Sequence, residues 1–86
     1  MSIAFRVDGS AKFEDVFGID GLSEAIDEEA TTKTSRCVTD GENYLWLYGD
    51  EDGTIHSATR YGMNDEEDIL DKIHDALDIY IYCIDA

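Results

Sequence analysis

Three β-rich segments in the middle of the chain decide its fold: TKTSRCVT (residues 32–39), NYLWLYG (43–49) and GTIHSATRY (53–61). The sequences between them, DGE at 40–42 and DEDG at 50–53, contain the Asp and Gly residues that are typical of tight hairpin turns. We therefore predict a three-stranded antiparallel meander.

The residues before the meander are predicted to form a strand and then a helical region. SIAFRVD (2–8) alternates apolar and other side chains, which indicates a half-buried first strand. Glycines divide residues 11–30 into a short turn near 11–17 and a helix near 21–30. Asp20 is the predicted N-cap of this helix, because a short carboxylate can accept hydrogen bonds from the free amides of a first turn. The residues of this helix predicted to face the core are Leu22, Ala25 and Ile26.

The residues after the meander are predicted to form a second helix and a closing strand. Asn64 is a good N-cap, Glu67 completes a capping-box pattern, and the helix should end at about Leu77. DIYIYCID (78–85) then reads as a final strand. The order β-α-β-β-β-α-β predicts a single α+β domain over residues 1–86, with an antiparallel sheet of about four to five strands and two helices packed on it.

The charge of the chain is unusual for its size. Asp and Glu number 21 and Lys and Arg number 6, so the formal net charge is -15 at pH 7. A small domain needs a net charge of only about 2–8 in magnitude for solubility, and the self-repulsion of a larger charge destabilises a compact fold. Three explanations are open: a basic partner, a high-salt cytoplasm, or drift.

Much of this charge is ordered along one side of the second helix. On a helical wheel, five carboxylates occupy an arc of about 100°. An arc of about 120° nearly opposite is predicted to face the core and holds Ile69, Leu70, Ile73, Ala76 and Leu77. Neighbouring carboxylates on such a helix stand roughly 5–6 Å apart, which is close to the spacing of about 7 Å between backbone phosphates. We predict that this acidic ridge enters a groove built to hold phosphates; the alternative is a solvated helix face. The acidic ridge consists of Glu67, Asp68, Asp71, Asp75 and Asp78.

Aromatic side chains alternate with leucines along the middle strand. Tyr44, Trp46 and Tyr48, the aromatic column, must point to the face opposite Leu45 and Leu47. Tyr and Trp are favoured at the centres of protein interfaces, so the aromatic column is predicted to contact the partner; the alternative is packing within the fold. A surface that binds single-stranded nucleic acid combines such aromatics with a basic patch, and this chain has no basic patch. Direct binding of DNA or RNA is therefore not expected.

The acidic turn after this strand is a third predicted contact, made by Asp50, Glu51 and Asp52. It is not a calcium loop of the EF-hand type, because the sixth position of such a loop is Gly and here it is Ile55. The two histidines and two cysteines form no close pair of the kind that binds zinc. We expect no metal and no cofactor.

The sequence does not predict an enzyme. It contains no Gly-rich phosphate loop, and a chain of 86 residues scarcely provides the cleft that a pair of catalytic carboxylates needs. The N-terminus lacks the pattern of a signal peptide, no segment approaches the roughly 20 apolar residues of a membrane span, and anionic lipids would repel the acidic surface. We therefore expect a cytoplasmic protein whose Cys37 and Cys83 are unpaired thiols, buried or half-buried in strands.

In size, net charge and its acidic ridge at 67–78, the chain resembles the small acidic inhibitors carried by phages and mobile elements. These include anti-CRISPR proteins, anti-restriction proteins and uracil-DNA glycosylase inhibitors, several of which mimic DNA. The resemblance implies a binding protein, monomeric or weakly dimeric, that blocks the nucleic-acid site of a defence or repair protein in the host cytoplasm. The implied partner is basic and binds nucleic acid, as a nuclease or a CRISPR effector subunit does.

Three other interpretations remain open. The same acidic surface would suit an immunity or antitoxin protein that covers a basic nuclease toxin. It would also suit a halophile domain with no inhibitory role, which the three lysines fit and the nine isoleucines fit less well. The third of these interpretations is a subunit of a larger assembly.

Overall fold

A computed structural model of the protein describes residues 2–61 and 67–84. These residues form an α+β domain, as predicted, with six strands and two helices. The strands are Ser2–Asp8 (β1), Ser23–Ala25 (β2), Ser35–Thr39 (β3), Tyr44–Gly49 (β4), Ile55–Tyr61 (β5) and Tyr80–Cys83 (β6), and the helices are Phe13–Phe17 (α1) and Glu67–Leu77 (α2).

The strands of the described part form one antiparallel sheet in the order β2-β3-β4-β5-β1-β6. The predicted meander is confirmed as β3, β4 and β5. The first strand lies between β5 and the closing strand β6. The sheet is larger than the predicted four to five strands, because part of a segment that was predicted to be helical adds β2 at one edge.

The predicted helix near residues 21–30 is wrong, because this segment contains β2 and a turn. Gly21 has a φ of 90°, a left-handed conformation that a helix cannot continue through, so Asp20 does not begin a helix. After β2, the Asp27 carboxylate accepts a hydrogen bond from the Glu29 N–H at 3.0 Å. Side-chain hydrogen bonds of this kind to a nearby backbone compete with helix formation.

The residues predicted to face the core from this segment have different environments. Leu22 is buried, Ala25 is half-buried, and Ile26 is 74% exposed. The prediction is therefore correct for Leu22 and wrong for Ile26. Only Ala25 lies in β2, whereas Leu22 precedes the strand and Ile26 follows it, so the three residues do not share one side as they would in a helix.

The short turn predicted near residues 11–17 corresponds to α1. Phe13 and Val16 stand three residues apart on the same side of this helix, and both are buried. The Asp15 carboxylate accepts a hydrogen bond from the Lys12 N–H at 3.0 Å, which satisfies one of the amide donors at the helix start.

The second helix ends at Leu77, as predicted. The next residue, Asp78, has a φ of 54°, and its N–H donates to the His74 carbonyl at 2.9 Å, so the chain turns there toward β6. The predicted N-cap, Asn64, lies outside the described residues. Within the helix, the amphipathic prediction fails at Ala76, which is exposed because it borders a groove beside α1.

Both helices pack on one face of the sheet, called here the covered face. Leu45 and Leu47 of β4 are fully buried there beside Ile69 and Ile73 of α2. Trp46, between the two leucines, points to the opposite face, called here the open face. The buried core consists of Phe5, Ala11, Phe13, Val16, Leu22, Val38, Leu45, Leu47, Ile55, Ala58, Ile69, Ile73 and Ile79.

The two cysteines lie in distant strands. Cys37 of β3 is a buried thiol, as predicted, but Cys83 of β6 is exposed, so the prediction of a buried or half-buried position is wrong for it. The cause is that β6 is an edge strand with its last residues at the periphery of the sheet. Three strands separate β3 from β6, a distance of roughly 19 Å at 4.8 Å per strand, which is too far for a disulfide bond within one chain.

Candidate protein-binding surfaces

Three members of the acidic ridge lie on the outer side of α2 and at its C-terminal end. Asp71, Asp75 and Asp78 are exposed, and Ile69 and Ile73 hold the opposite side of the helix in the core. The other two members of the ridge, Glu67 and Asp68, occupy the first turn of α2. Because the helix is anchored by two fully buried isoleucines, the ridge has a fixed position on the fold.

A groove of about 690 Å³ runs between α1 and α2 and brings a second group of acids to the ridge. Glu14, Asp15 and Asp20 line it from the side of α1, and Asp75 lines it from α2. The groove therefore has carboxylates on both borders. Apolar atoms are also accessible in it, contributed by Ile19, Ala76 and Leu77.

Among the described residues that border this groove, Lys72 is the one cation. Its aliphatic stem passes over Gly21, where an added Cβ would stand 3.1 Å from Lys72 Cε. The positive φ of Gly21 favours glycine at this position, whereas the flexible lysine stem could shift to admit a Cβ. The lysine stem thus packs α2 against the segment that follows α1, and the groove stays predominantly acidic.

The acidic turn Asp50–Asp52 belongs to different surroundings. It is exposed at the end of the β4–β5 hairpin, beside the start of α1, where the Phe13 N–H donates to the Gly53 carbonyl at 3.0 Å. A second groove of about 360 Å³ next to it is lined by Lys12, Lys33 and Arg36, which are three of the six Lys and Arg residues in the chain. The two lysines therefore offset part of the charge of the turn, while the guanidinium of Arg36 is paired with Glu24.

Hydrogen bonding organises the turn internally. The Thr54 N–H donates to the Asp52 carboxylate at 2.9 Å, and this bond is the main reason why the pKa of Asp52 lies below its ordinary value. The Asp52 carboxylate is thus occupied by its own hairpin. This hydrogen bond indicates that Asp52 stabilises the hairpin turn rather than contacting a partner.

Arg36 closes the edge of the covered face where β2, β3 and α1 meet. Its guanidinium forms a two-pronged ion pair with Glu24 and lies over the rings of Phe13 and Phe17, at 5.7 and 5.3 Å from the ring centroids. The hydrogen bonds to Glu24 raise the pKa of Arg36. The pair is partly buried, so it belongs to the packing of β2 against the domain rather than to a binding surface.

The aromatic column lies on the open face. Tyr44 is 46% exposed, Trp46 and Tyr48 are half-buried, and the Tyr48 hydroxyl is 3.1 Å from the Thr59 hydroxyl. The acidic ridge lies on the other side of the sheet, outside α2. One flat partner surface therefore cannot contact the aromatic column and the acidic ridge together, although the sequence had suggested that they cooperate.

Cys37 is also on the open face, directly beside Trp46 in the register of β3 and β4. Burial raises the pKa of its thiol to about 11, with smaller contributions from the charges of Asp27 and Glu24. A thiol of this pKa is almost entirely protonated at neutral pH and is a poor nucleophile. Cys37 is therefore part of the packing of the sheet.

Within residues 2–61 and 67–84, no group of three or more His, Cys, Asp and Glu side chains is placed to hold a metal ion. No helix in the described part of the chain is long and apolar enough to cross a membrane. No protein family matches the sequence, and no curated protein and no solved structure matches it either.

The sequence and the structure agree on the ridge but differ in its extent. Glu14 and Asp15 belong to a predicted turn and Asp20 to a predicted cap, so nothing in the local pattern connects them with α2. Their shared feature is the packing of α1 beside α2, which depends on contacts between residues far apart in the chain. The term acidic groove is used below for the ridge together with these three acids.

Proposed function

We propose that the protein is an inhibitor that occupies the nucleic-acid-binding surface of a host defence or repair protein by DNA mimicry, in the manner of anti-CRISPR proteins. It acts by binding alone, without catalysis or a cofactor, in the cytoplasm of the host cell. The observation that carries the proposal is the acidic groove, in which carboxylates from α1 and α2 border both sides of one cleft.

The arrangement of these carboxylates supports mimicry better than a single row would. Double-stranded DNA presents two lines of negative charge along the borders of a groove, and proteins engage them with Lys and Arg side chains. Glu14, Asp15 and Asp20 stand on one border of the acidic groove, and Asp75 stands on the other. Basic side chains arranged for two phosphate strands would meet negative charge on both borders.

The mechanism is electrostatic competition. A chain with a net charge of -15 is attracted to a basic cleft before contact, and steering of this kind accelerates association by about 10–1000-fold at low salt. Once bound, the acidic groove would exclude DNA from the same cations. Raised salt should weaken the complex, because the Debye length falls to about 8 Å at physiological ionic strength.

Affinity also requires contacts that lose water. The aromatic column cannot supply them next to the acidic groove, since it lies on the open face. Ile19 and Leu77 are half-buried apolar side chains that line the groove itself. They are the natural place for an aliphatic or aromatic side chain of the partner to insert between the charged contacts.

The test begins with the identity of the partner. The immobilised wild-type chain is used to capture proteins from a host lysate, and the captured protein is then bound to a labelled DNA duplex. The wild-type chain should displace the duplex, and Asp71→Lys with Asp75→Lys should not, because like charges placed together at an interface cost several kcal/mol.

A matched control separates the groove from net charge in general. Glu28→Lys with Glu42→Lys also reverses two exposed carboxylates, but these stand outside the acidic groove. This control should still displace the duplex, apart from a slower association at low salt. Equal loss in both double variants would reject the acidic groove as the binding surface, and capture only of proteins that do not bind nucleic acid would reject DNA mimicry.

A further inference from the structure

The open face differs in composition from the rest of the protein. Charged residues make up 31% of the chain, but the charged side chains that the described strand registers place on the open face are one cation, Arg6, and one anion, Asp8. The other positions carry aromatic, hydroxyl or small side chains. They are Ala4, Ser23, Ala25, Ser35, Cys37, Thr39, Tyr44, Trp46, Tyr48, Ser57, Thr59 and Tyr82. Tyr80 lies in the edge strand β6, and its ring contacts His74 of α2 with 4.4 Å between the ring centroids, so it belongs to the helix side.

This composition is that of a surface prepared for contact. The centres of protein interfaces are depleted of charged residues and enriched in Tyr and Trp. In a protein of net charge -15, a sheet face without net charge departs from the composition of the chain and needs a physical reason. Burial against another surface supplies that reason.

The aromatic column lies at the centre of the open face. The aromatic column of β4 stands between two lines of smaller side chains: Cys37 and Thr59 flank Trp46, and Ser35 and Ser57 flank Tyr48. The Tyr48 hydroxyl is 3.1 Å from the Thr59 hydroxyl, so this ring leans over β5. When two copies meet about a two-fold axis, two such aromatic faces can pack against each other, as the inner faces of two sheets do in a sandwich.

Electrostatics favours a second copy of the chain over a basic protein as the partner of the open face. A basic protein gains no attraction from a face whose Arg6 and Asp8 cancel. A second copy brings another neutral face and directs its own acidic groove away from the contact. Two packed sheets are about 10 Å apart and a helix layer adds roughly 10 Å on each side, so the acidic grooves would stand about 30 Å apart, beyond several Debye lengths of about 8 Å.

The size of the face indicates a weak dimer. Six strands span roughly 29 Å, and strands of about six residues span roughly 20 Å, which agrees with the extents of 30 × 29 × 25 Å of the molecule. The face therefore offers about 600 Å² per copy, somewhat less than the ~800 Å² per partner of a standard stable interface. We propose that the open face is the interface of a symmetric homodimer that forms at micromolar or higher protein concentration.

The test is the mass of the purified full chain in solution. Sedimentation equilibrium from low micromolar to high micromolar concentration should show a change from the monomer mass of 9.6 kDa to twice that value. Trp46 is the single tryptophan of the chain, so its fluorescence emission should move to shorter wavelength over the same range. A wild-type chain that stays monomeric at every concentration overturns the proposal.

Variants locate the interface. Tyr44→Lys replaces an exposed aromatic side chain of the column and should weaken dimerisation at least tenfold, because it adds like charges to the contact and removes aromatic area. Ile26→Lys, a matched control at the more exposed Ile26 outside the sheet, should leave dimerisation unchanged. Circular dichroism confirms the fold of each variant. A dimer that survives Tyr44→Lys unaltered overturns the assignment to the open face.

Salt distinguishes this inference from the proposed function. The dimer should strengthen as salt rises, since screening reduces the repulsion between two chains of charge -15. The complex with a basic partner should weaken over the same range. A homodimer that dissociates at high salt would contradict an interface made by the neutral open face.

Discussion

The two faces of the sheet are built from the same strands but have opposite chemistry. The covered face is apolar, and the helices that pack on it turn carboxylates outward, so this side of the molecule is strongly acidic. The open face is nearly uncharged and carries the aromatic column. The difference alternates from residue to residue along β4. Leu45 and Leu47 are fully buried, whereas Tyr44 is exposed and Trp46 is half-buried.

This difference shows that charge and contact chemistry have been separated in space. An acidic surface attracts a basic partner over a distance, whereas an uncharged aromatic surface gains free energy only on contact. A protein that combined both on one face could not bind a copy of itself without bringing its carboxylates together. With the two on opposite sides, each surface can serve a different partner.

The largest expected effect contrasts the two sides of β4. Leu47→Ala should lower the free energy of unfolding by about 3 kcal/mol, because it leaves a cavity at a fully buried position. Trp46→Ala should cost less, about 1–2 kcal/mol, since that side chain is only half-buried. Urea denaturation at low protein concentration measures both. A greater loss for Trp46→Ala would mean that the open face is a second core.

The next effect tests how completely water is excluded from Cys37, which lies beside Trp46 on the open face. The pKa of Cys37 is raised to about 11 by burial, above the value of an unfolded thiol, so the folded state holds its proton more tightly. The stability from this group is fully present below the unfolded pKa and is lost as pH rises from about 9 to 11. Unfolding free energy should fall over this window in the wild type.

The control for that measurement is Cys37→Ala, which should remove that part of the decline and leave the part due to other groups. The exposed Cys83 provides an internal comparison. At pH 8, iodoacetamide should modify Cys83 quickly and Cys37 only after urea is added, as read by mass spectrometry. Equal labelling rates in the native protein would contradict a buried Cys37.

A smaller effect concerns the edge of the covered face. Glu24→Gln should lower stability by about 1–2 kcal/mol, since it leaves the partly buried Arg36 without its carboxylate. The exposed Glu28→Gln, four residues away, is a suitable control and should be within about 0.5 kcal/mol of the wild type. Thermal unfolding followed by circular dichroism measures the pair, and equal values would show that the ion pair does not hold β2 in place.

The smallest expected change in stability follows from reversing the charge of two residues of the acidic ridge. Asp71→Lys with Asp75→Lys should hold or raise stability by a few tenths of a kcal/mol. The two lysines repel each other as the two aspartates did, but each attracts unchanged carboxylates three or four residues away, at Glu67, Asp68 and Asp78. Lysine is also the better helix former. Binding of a basic partner should be lost in the same variant. A clear fall in stability would mean that these carboxylates support the fold.

The structure of residues 43–61 and of α2 could be predicted from local sequence patterns. The alternation of Leu45 and Leu47 with aromatic residues and the turn sequences of the hairpins predicted the meander, and the spacing of Ile69 and Ile73 predicted the buried side of α2. Each of these patterns is a property of neighbouring residues. A period of two or of 3.6 therefore carries the information by itself.

The segment at 21–30 and the acidic groove depend on distant contacts. The local pattern is compatible with a helix or a strand. The choice is made by the pairing of Ser23–Ala25 with β3, by the ion pair of Glu24 with Arg36, and by the left-handed Gly21. In the same way, only the packing of α1 beside α2 brings Asp20 to the groove that Asp75 borders. The sequence by itself determined the strands of the meander, the amphipathic helix and the excess of negative charge. The tertiary structure decided which face the helices cover, where the acids meet and that the aromatic column lies on the opposite side, because these depend on free energy from contacts between residues far apart in the chain.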